Sequence, residues 1–178
     1  MGTRHYIGVI SDKETKVAQY GQWDGYPEGQ GATVLNFLRE ANLETFKSKL
    51  NNCRFIEDRN EIRQMYVSVG DDPNNDSGFI SHEIAEKFKE KWPSLSRDTG
   101  GKILELIYKS ETEVLLQNSE NFLDDSVFCE FAYVIDLDKN TLTCFCSGKN
   151  IFARYYLDNL PTNEKLRKDY EEYSKKNY

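Results

Sequence analysis

The chain has 178 residues and a formal net charge of −7, and 13 % of its residues are aromatic. Its length suits one domain, and the aromatic side chains supply ample apolar surface for a core, which excludes a disordered chain. A pI near 5.0 excludes simple docking on nucleic acid, because phosphates attract lysine and arginine. We therefore expect no direct binding of nucleic acid, and a basic protein is a natural partner for this acidic chain.

The amino-terminal stretch MGTRHYIGVISD lacks the apolar core and the small-residue cleavage site of a secretory signal. No stretch of the chain approaches the roughly 18 apolar residues of a transmembrane helix. The sequence therefore predicts a cytoplasmic protein that does not contact membranes.

The cysteines and histidines predict neither a disulfide framework nor a metal site. The C-x-C pair lacks the second pair that zinc requires, and His5 and His82 make no metal-ligand spacing. We expect free thiols that behave as small buried hydrophobic side chains, no metal and no cofactor. The four cysteines are Cys53, Cys129, Cys144 and Cys146.

The first half of the chain begins with a hairpin signal. Residues 3–10 and 15–20 are β-rich runs joined by the polar turn SDKE. A glycine-rich connection follows, and apolar residues at helical spacing then predict one or two helices from about residue 32 to residue 50. Residues 55–68 permit either a helix or a strand, and residues 70–78 contain only turn formers, which predicts a loop.

The second half predicts two more helices and then strands. Ser81 caps a helix that Trp92 and Pro93 end, and Gly100 with Gly101 precedes an apolar helix. Two glycines there either bring backbone amides close to an anion or merely allow close packing. Aromatic, β-branched runs then predict three strands, followed by a polar helix. The strands are expected near residues 127–137, 140–147 and 150–156, and the helix at 162–178.

Together these elements predict one α+β domain over residues 1–178. Its single antiparallel sheet combines the amino-terminal hairpin with the carboxy-terminal strands, and helices pack on that sheet.

Residues 21–31, GQWDGYPEGQG, here called the glycine-rich loop, are the main candidate for a functional site. The four glycines permit sharp bends and Pro27 fixes its own φ, so the loop is bent and rigid. Trp23 and Tyr26 offer flat faces with polar edges, and Asp24 adds a carboxylate, a set that can hold a base, a sugar or a guanidinium. The alternative is a plain turn in which Trp23 packs beneath the next helix and Asp24 caps it.

Thr3 and Arg4 lie one strand away from this loop in the predicted hairpin. We expect Arg4 either to pair with Asp24 or to face one ligand together with it. Thr3 is a nucleophile only if its own α-amine is free to act as the base, which would require the loss of both Met1 and Gly2.

The stretches MGTRHYIGVI and VAQYGQWDGYPEGQG resemble the opening of a widespread, little-characterised family of small proteins from bacteriophages, bacterial mobile elements and some fungi. The later stretches SRDTGGKILELI and FCEFAYVIDLDKNTLTCF resemble the same family, so the resemblance spans most of the chain. Gln22 stands where the phage proteins often have histidine, which argues against a histidine base at the loop. The positions that recur in the family correspond here to Thr3, Arg4, Trp23, Asp24, Gly25, Tyr26, Pro27 and Gly29.

The family has no assigned reaction, so the resemblance implies where the site lies and gives no mechanism. A phage or mobile-element setting implies accessory work against a host, in the host-cell cytoplasm. Our first hypothesis is a counter-defence binding protein, which either inhibits a basic host defence nuclease, as anti-CRISPR proteins do, or sequesters a nucleotide-like signal. The residues expected to bind the ligand or partner are Thr3, Arg4, Gln22, Trp23, Asp24, Tyr26 and Gly29.

The second hypothesis is a small hydrolase, either an Ntn-like amidase or a phosphodiesterase, with its site at the same loop. A structural or assembly module is the third. Nothing in the sequence decides whether the chain forms a homodimer.

Overall fold

The computed structural model of the chain describes residues 2–75 and 77–177. Within that part, the chain forms seven strands and six α-helices. The strands are β1 (His5–Ser11), β2 (Glu14–Gly21), β3 (Cys53–Phe55), β4 (Val114–Leu116), β5 (Phe131–Asp136), β6 (Thr141–Cys146) and β7 (Asn150–Tyr156). The helices are α1 (Ala32–Glu40), α2 (Leu43–Leu50), α3 (Arg59–Ser68), α4 (His82–Lys91), α5 (Ile103–Lys109) and α6 (Asn163–Asn177).

Five strands form the main sheet, in the order β2-β1-β5-β6-β7. The predicted α+β class is confirmed, and so is the placement of the amino-terminal hairpin and the carboxy-terminal strands in one sheet. The prediction of a single antiparallel sheet is wrong in two respects. The central strands β1 and β5 run parallel, and β3 and β4 pair with each other in a second, two-stranded sheet.

The parallel pair arises because the chain enters β1 and β5 at the same end of the sheet. His5 and Phe131 are register partners, and the Phe131 N–H donates to the Arg4 carbonyl at 3.3 Å. Aromatic and β-branched composition indicates a strand but carries no information about its direction. The long helical segment between the two strands provides the crossover that a parallel pair requires. β3 and β4 have three residues each, too few for an alternating pattern.

The larger core lies between the main sheet and helices α1, α5 and α6. Ile7 and Tyr133 of the sheet are fully buried there, as is Leu35 of α1. Each such side chain stabilises the fold by about 1.5–3 kcal/mol through removal of apolar surface from water. On the opposite face, a smaller cluster around Tyr6 and Ala132 is covered by residues 119–130.

Helices α3 and α4 pack against each other beside the glycine-rich loop. The Tyr66 and Phe88 rings stack with 4.0 Å between their centroids. Residues 55–68, for which a helix and a strand were both open, are therefore mainly helical. Ser81 is the predicted cap, since its hydroxyl accepts a hydrogen bond from the Ile84 N–H at 3.3 Å. The predicted loop at 70–78 contains neither helix nor strand where it is described, and Asp76 lies outside the described residues.

One further boundary and the burial of one cysteine differ from the prediction. The strand expected from residue 127 begins at Phe131, and Cys129 is a buried residue of the largely exposed loop before it. Cys144 and Cys146 are buried in β6, whereas Cys53 is only half-buried, in β3. Among the described residues, none of the helices combines the length and apolar character that crossing a bilayer requires.

Candidate ligand-binding groove at the glycine-rich loop

The glycine-rich loop is fastened to three different elements by its backbone. The Gly25 N–H donates to the Thr3 carbonyl at 3.0 Å, and the Gly25 carbonyl accepts from the buried Tyr133 hydroxyl at 2.9 Å. The Gln22 N–H donates to the Arg97 carbonyl at 3.0 Å. These bonds hold the loop against the start of β1, against β5 and against the segment before α5, so its conformation is fixed before any ligand arrives.

A tight turn within the loop depends on one glycine. Asp24 has a positive φ of 57°, and its carbonyl accepts from the Gln30 N–H at 2.8 Å. A Cβ added at Gly29 would overlap that Asp24 carbonyl oxygen, so a larger residue cannot enter without breaking the turn. One turn of π-helix, Pro27–Gly31, then leads directly into α1. Gly29 therefore serves the geometry of this turn.

Trp23 lies outside the core and is held in place at its edge. Its side chain is 46 % exposed, and Nε1 donates to Asp98 Oδ1 at 3.0 Å. The other carboxylate oxygen of Asp98 accepts from Lys89 Nζ at 2.9 Å. A Cβ added at Gly2 would come within 2.6 Å of the indole Cε3, so the Gly2 backbone lies against the indole ring. The indole is thus both anchored and accessible.

The two contacts expected if this loop were a plain turn are not formed. Trp23 does not pack beneath α1, since nearly half of its side chain is exposed. Asp24 caps no helix, because neither the π-helical turn nor α1 has a side-chain hydrogen bond at its amino end.

Trp23 lines a groove of about 550 Å³, here called the Trp23 groove, between β2, α4 and residues 95–98. The size lies within the range of about 300–1,000 Å³ that is typical of small-ligand sites. The groove combines an aromatic face with cationic and anionic groups. Its lining includes Tyr20, Trp23, His82, Glu86, Arg97 and Asp98.

Arg97 is the cation of this groove that forms no ion pair among residues 2–75 and 77–177, although its charge also helps to lower the pKa of the neighbouring Asp98. Its backbone carbonyl binds the glycine-rich loop, while its exposed guanidinium remains available to solvent or a ligand. Lys89, by contrast, is paired with Asp98, and the Lys89 ammonium and the Trp23 N–H hold the pKa of Asp98 below its usual range. Asp98 therefore remains ionised at neutral pH and keeps its hydrogen bond to Trp23.

Arg4 does not pair with Asp24, contrary to one of the two predicted arrangements. Its Nε lies 3.8 Å from Glu130 Oε1, and its guanidinium lies 4.4 Å from the centroid of the Phe128 ring. Within the described residues the Asp24 carboxylate has no hydrogen bond or ion pair, and its negative charge acts to raise the pKa of the buried His5. Arg4 also lies outside the residues that line the Trp23 groove.

Tyr26 lies on the same loop as Trp23 but faces a different surface. Its side chain is 49 % exposed, and its ring packs against Phe131 with 5.6 Å between centroids. Tyr26 and Arg4, which were expected to bind a ligand together with Trp23, therefore do not line the Trp23 groove. Gln22 takes an indirect part in the groove, because its Oε1 accepts from the hydroxyl of the lining residue Tyr20 at 2.5 Å.

Thr3 and His5 are buried beneath the loop. Thr3 is 5 % exposed and follows Gly2, so it has no free α-amine in this chain. His5 is 1 % exposed, and no described residue forms a hydrogen bond with either of its ring nitrogens. Burial lowers the pKa of His5 to about 4, although the Thr3 backbone and the Asp24 carboxylate act in the opposite direction. Both residues shape the loop from below rather than facing a ligand.

Sequence analysis missed the residues that complete the groove. Arg97, Asp98 and Lys89 are more than sixty positions from Trp23, and only tertiary packing brings them together. The one available signal was the stretch SRDTGG, which contains Arg97 and Asp98 and belongs to the family resemblance. In the described part of the chain, no group of three or more His, Cys, Asp or Glu side chains is arranged to hold a metal ion.

No protein-family model, curated protein or solved structure matches the chain. The resemblance to the phage and mobile-element family therefore stays a prediction from the sequence.

Proposed function

We propose that this protein is a counter-defence binding protein of a phage or mobile element that captures a small nucleotide-like ligand in the Trp23 groove. The observation that carries the proposal is the exposed Trp23 indole, fixed by Asp98, in a groove that also contains the unpaired Arg97 guanidinium. A nucleotide needs these two features together, because it has a flat base and an anionic phosphate.

The aromatic part of the proposed contact is a base stacked on Trp23. Stacking of a base on an aromatic side chain contributes about 1–3 kcal/mol and tolerates different bases. The indole is already held by Gly2 and Asp98. Binding therefore loses less side-chain entropy than it would at a mobile tryptophan.

The ionic part of the proposed contact is a phosphate group bound by the Arg97 guanidinium. A guanidinium presents paired donors that match phosphate oxygens, and it keeps its charge at all relevant pH values. Glu86 lines the same groove and can accept hydrogen bonds from a base amine or a ribose hydroxyl. With a net charge of −7, the chain as a whole repels phosphate, so capture depends on this local cation and weakens as salt screens it.

The test uses the natural fluorescence of Trp23. The chain has two tryptophans, and Trp92→Phe leaves Trp23 as the single reporter without changing a residue that lines the groove. We expect adenosine monophosphate to quench Trp23 emission with a Kd below about 100 μM, at least tenfold tighter than adenosine. Arg97→Gln should remove that difference.

The matched control is Tyr156→Ala, which removes an exposed aromatic side chain from β7, at the opposite edge of the main sheet. The Tyr156→Ala variant should bind adenosine monophosphate with the same affinity as the parent. Absence of quenching by nucleotides, together with tight binding of a basic nuclease, would replace the proposal by the protein-inhibitor hypothesis. Turnover of the nucleotide would replace it by the hydrolase hypothesis.

A further inference from the structure

A second groove adjoins the Trp23 groove across one ion pair. It has a volume of about 740 Å³ and lies between residues 89–102 and α5. Lys89 and Asp98 line both grooves, so their ion pair is the boundary between them. Each groove has the size of a small-ligand site, and the two together exceed the usual range of about 300–1,000 Å³ for one small ligand.

The second groove has a cation of its own. Lys109 pairs with Glu105 and Lys89 pairs with Asp98. Lys102 is exposed, and among the described residues it has no carboxylate within ion-pair distance. Pro93 and Leu106 add apolar surface to the lining. The second groove therefore repeats the pattern of the first, in which an apolar wall accompanies one unpaired cation.

The two unpaired cations lie on one short segment that the glycine-rich loop holds at both ends. The Gln22 N–H binds the Arg97 carbonyl at 3.0 Å. The Gly101 N–H, next to Lys102, binds Gln30 Oε1 at 2.7 Å. Because both anchors come from the same rigid loop, the backbone positions of the two cations are fixed relative to each other.

From this arrangement we infer that the two grooves form one bipartite site for a ligand with two linked nucleotide units. One unit stacks on Trp23 with its phosphate at Arg97, and the phosphate of the second unit binds Lys102. The inference rests on the proposed function and adds the size and charge of the ligand. The second base contacts Pro93 and Leu106, on the far side of the Lys89–Asp98 ion pair.

The experiment compares adenosine monophosphate with a 5′-phosphorylated diadenylate, in the full chain carrying Trp92→Phe, by calorimetry and by Trp23 fluorescence. We expect the diadenylate to bind at least tenfold tighter, with one ligand per chain. Lys102→Gln should weaken the diadenylate about tenfold and change the affinity of the mononucleotide less than twofold. Lys168→Gln, an exposed lysine of α6 outside both grooves, is the matched control and should change neither affinity.

The outcomes separate the inference from the proposed function. The bipartite site would be overturned by equal affinities for the two ligands, by a Lys102→Gln variant with unchanged affinity for the diadenylate, or by two diadenylates bound per chain. Each of these results would leave nucleotide capture at Trp23 standing. Failure of both ligands to bind would overturn both proposals.

Discussion

The imidazole of His5 fills the space above Gly21 on the neighbouring strand. The two residues are register partners, and a Cβ added at Gly21 would overlap the ring atoms Cε1 and Nε2. Because the ring is enclosed in this way, neither nitrogen reaches a partner among the described residues. The neutral ring is tolerated there, whereas a charged one would lack both water and a counterion in contact.

The burial of His5 predicts that the folded protein loses stability in mild acid. Unfolded histidine titrates near pH 6.5, and burial lowers the pKa of His5 to about 4. Protons therefore bind the unfolded chain preferentially between these values. The stabilisation by neutral His5 is complete above about pH 6.5 and is lost as the pH falls toward 4, by about 3 kcal/mol in total.

Urea unfolding at pH 7.5 and pH 4.5 measures this effect. The His5→Leu variant serves as the reference, since it cannot take up the proton and should lose less stability between the two pH values than the parent. Identical pH dependence in the two proteins would show that His5 is accessible to water or hydrogen-bonded in solution.

The close approach of His5 and Gly21 predicts strong coupling between the two positions. Gly21→Ala should destabilise the chain by about 1–3 kcal/mol, because the added methyl group has no space beside the imidazole. In a His5→Ala background the same substitution should cost much less. A double-mutant cycle from urea unfolding gives the coupling energy, and additive effects would contradict the packing described.

Substitutions of Trp23 and Tyr26 should differ in their effect on nucleotide binding, although the two residues lie on the same loop and are similarly exposed. Trp23→Ala should weaken nucleotide binding at least tenfold while lowering stability by about 1 kcal/mol, far from the ~3–5 kcal/mol of a buried tryptophan. Tyr26→Ala should leave binding unchanged, because Tyr26 packs toward Phe131 and away from the groove. Calorimetry for binding and thermal melting for stability should be run on both variants. Loss of binding in both would make the whole loop the site.

We expect substitutions of Asp98 to make the Trp23 side chain more mobile, to a degree that depends on the substitution. Asp98→Ala removes the acceptor of the indole N–H and the partner of Lys89, whereas Asp98→Asn keeps an acceptor oxygen and loses the ion pair. In the Trp92→Phe background, the fluorescence anisotropy of Trp23 should fall clearly in the alanine variant and slightly in the asparagine variant. Nucleotide affinity should follow the same order, and equal anisotropy in all three proteins would argue against the anchor.

Sequence patterns predicted the elements better than the contacts between them. The turn SDKE and the β-rich runs around it were enough for the β1–β2 hairpin, and glycine, proline and tryptophan in one short stretch marked the loop. The predicted hairpin brings Arg4 close to Asp24, either as its ion-pair partner or facing one ligand with it, because that prediction does not include β5. In the structure β5 pairs with β1, and Glu130 before it becomes the partner of Arg4. The partner of Arg4 therefore depends on which strand lies beside β1, and no local sequence pattern contains that information.

The same limit applies to the groove. Trp23 was recognised as a candidate, but its wall is completed by Lys89, Arg97 and Asp98, which occupy a helix end and a short turn. Charged residues in such places usually face water and carry no local signal of a site.

Arg97 holds the glycine-rich loop through its main-chain carbonyl, while its guanidinium forms no ion pair with a carboxylate among the described residues. Any amino acid at this position can supply the same carbonyl. Exchanges of the side chain therefore change which ligand the groove prefers without loosening the loop. Under the proposed function, substitutions at such a position change ligand preference while the fold stays constant, and variation among related proteins should concentrate at 97 rather than at Gly29.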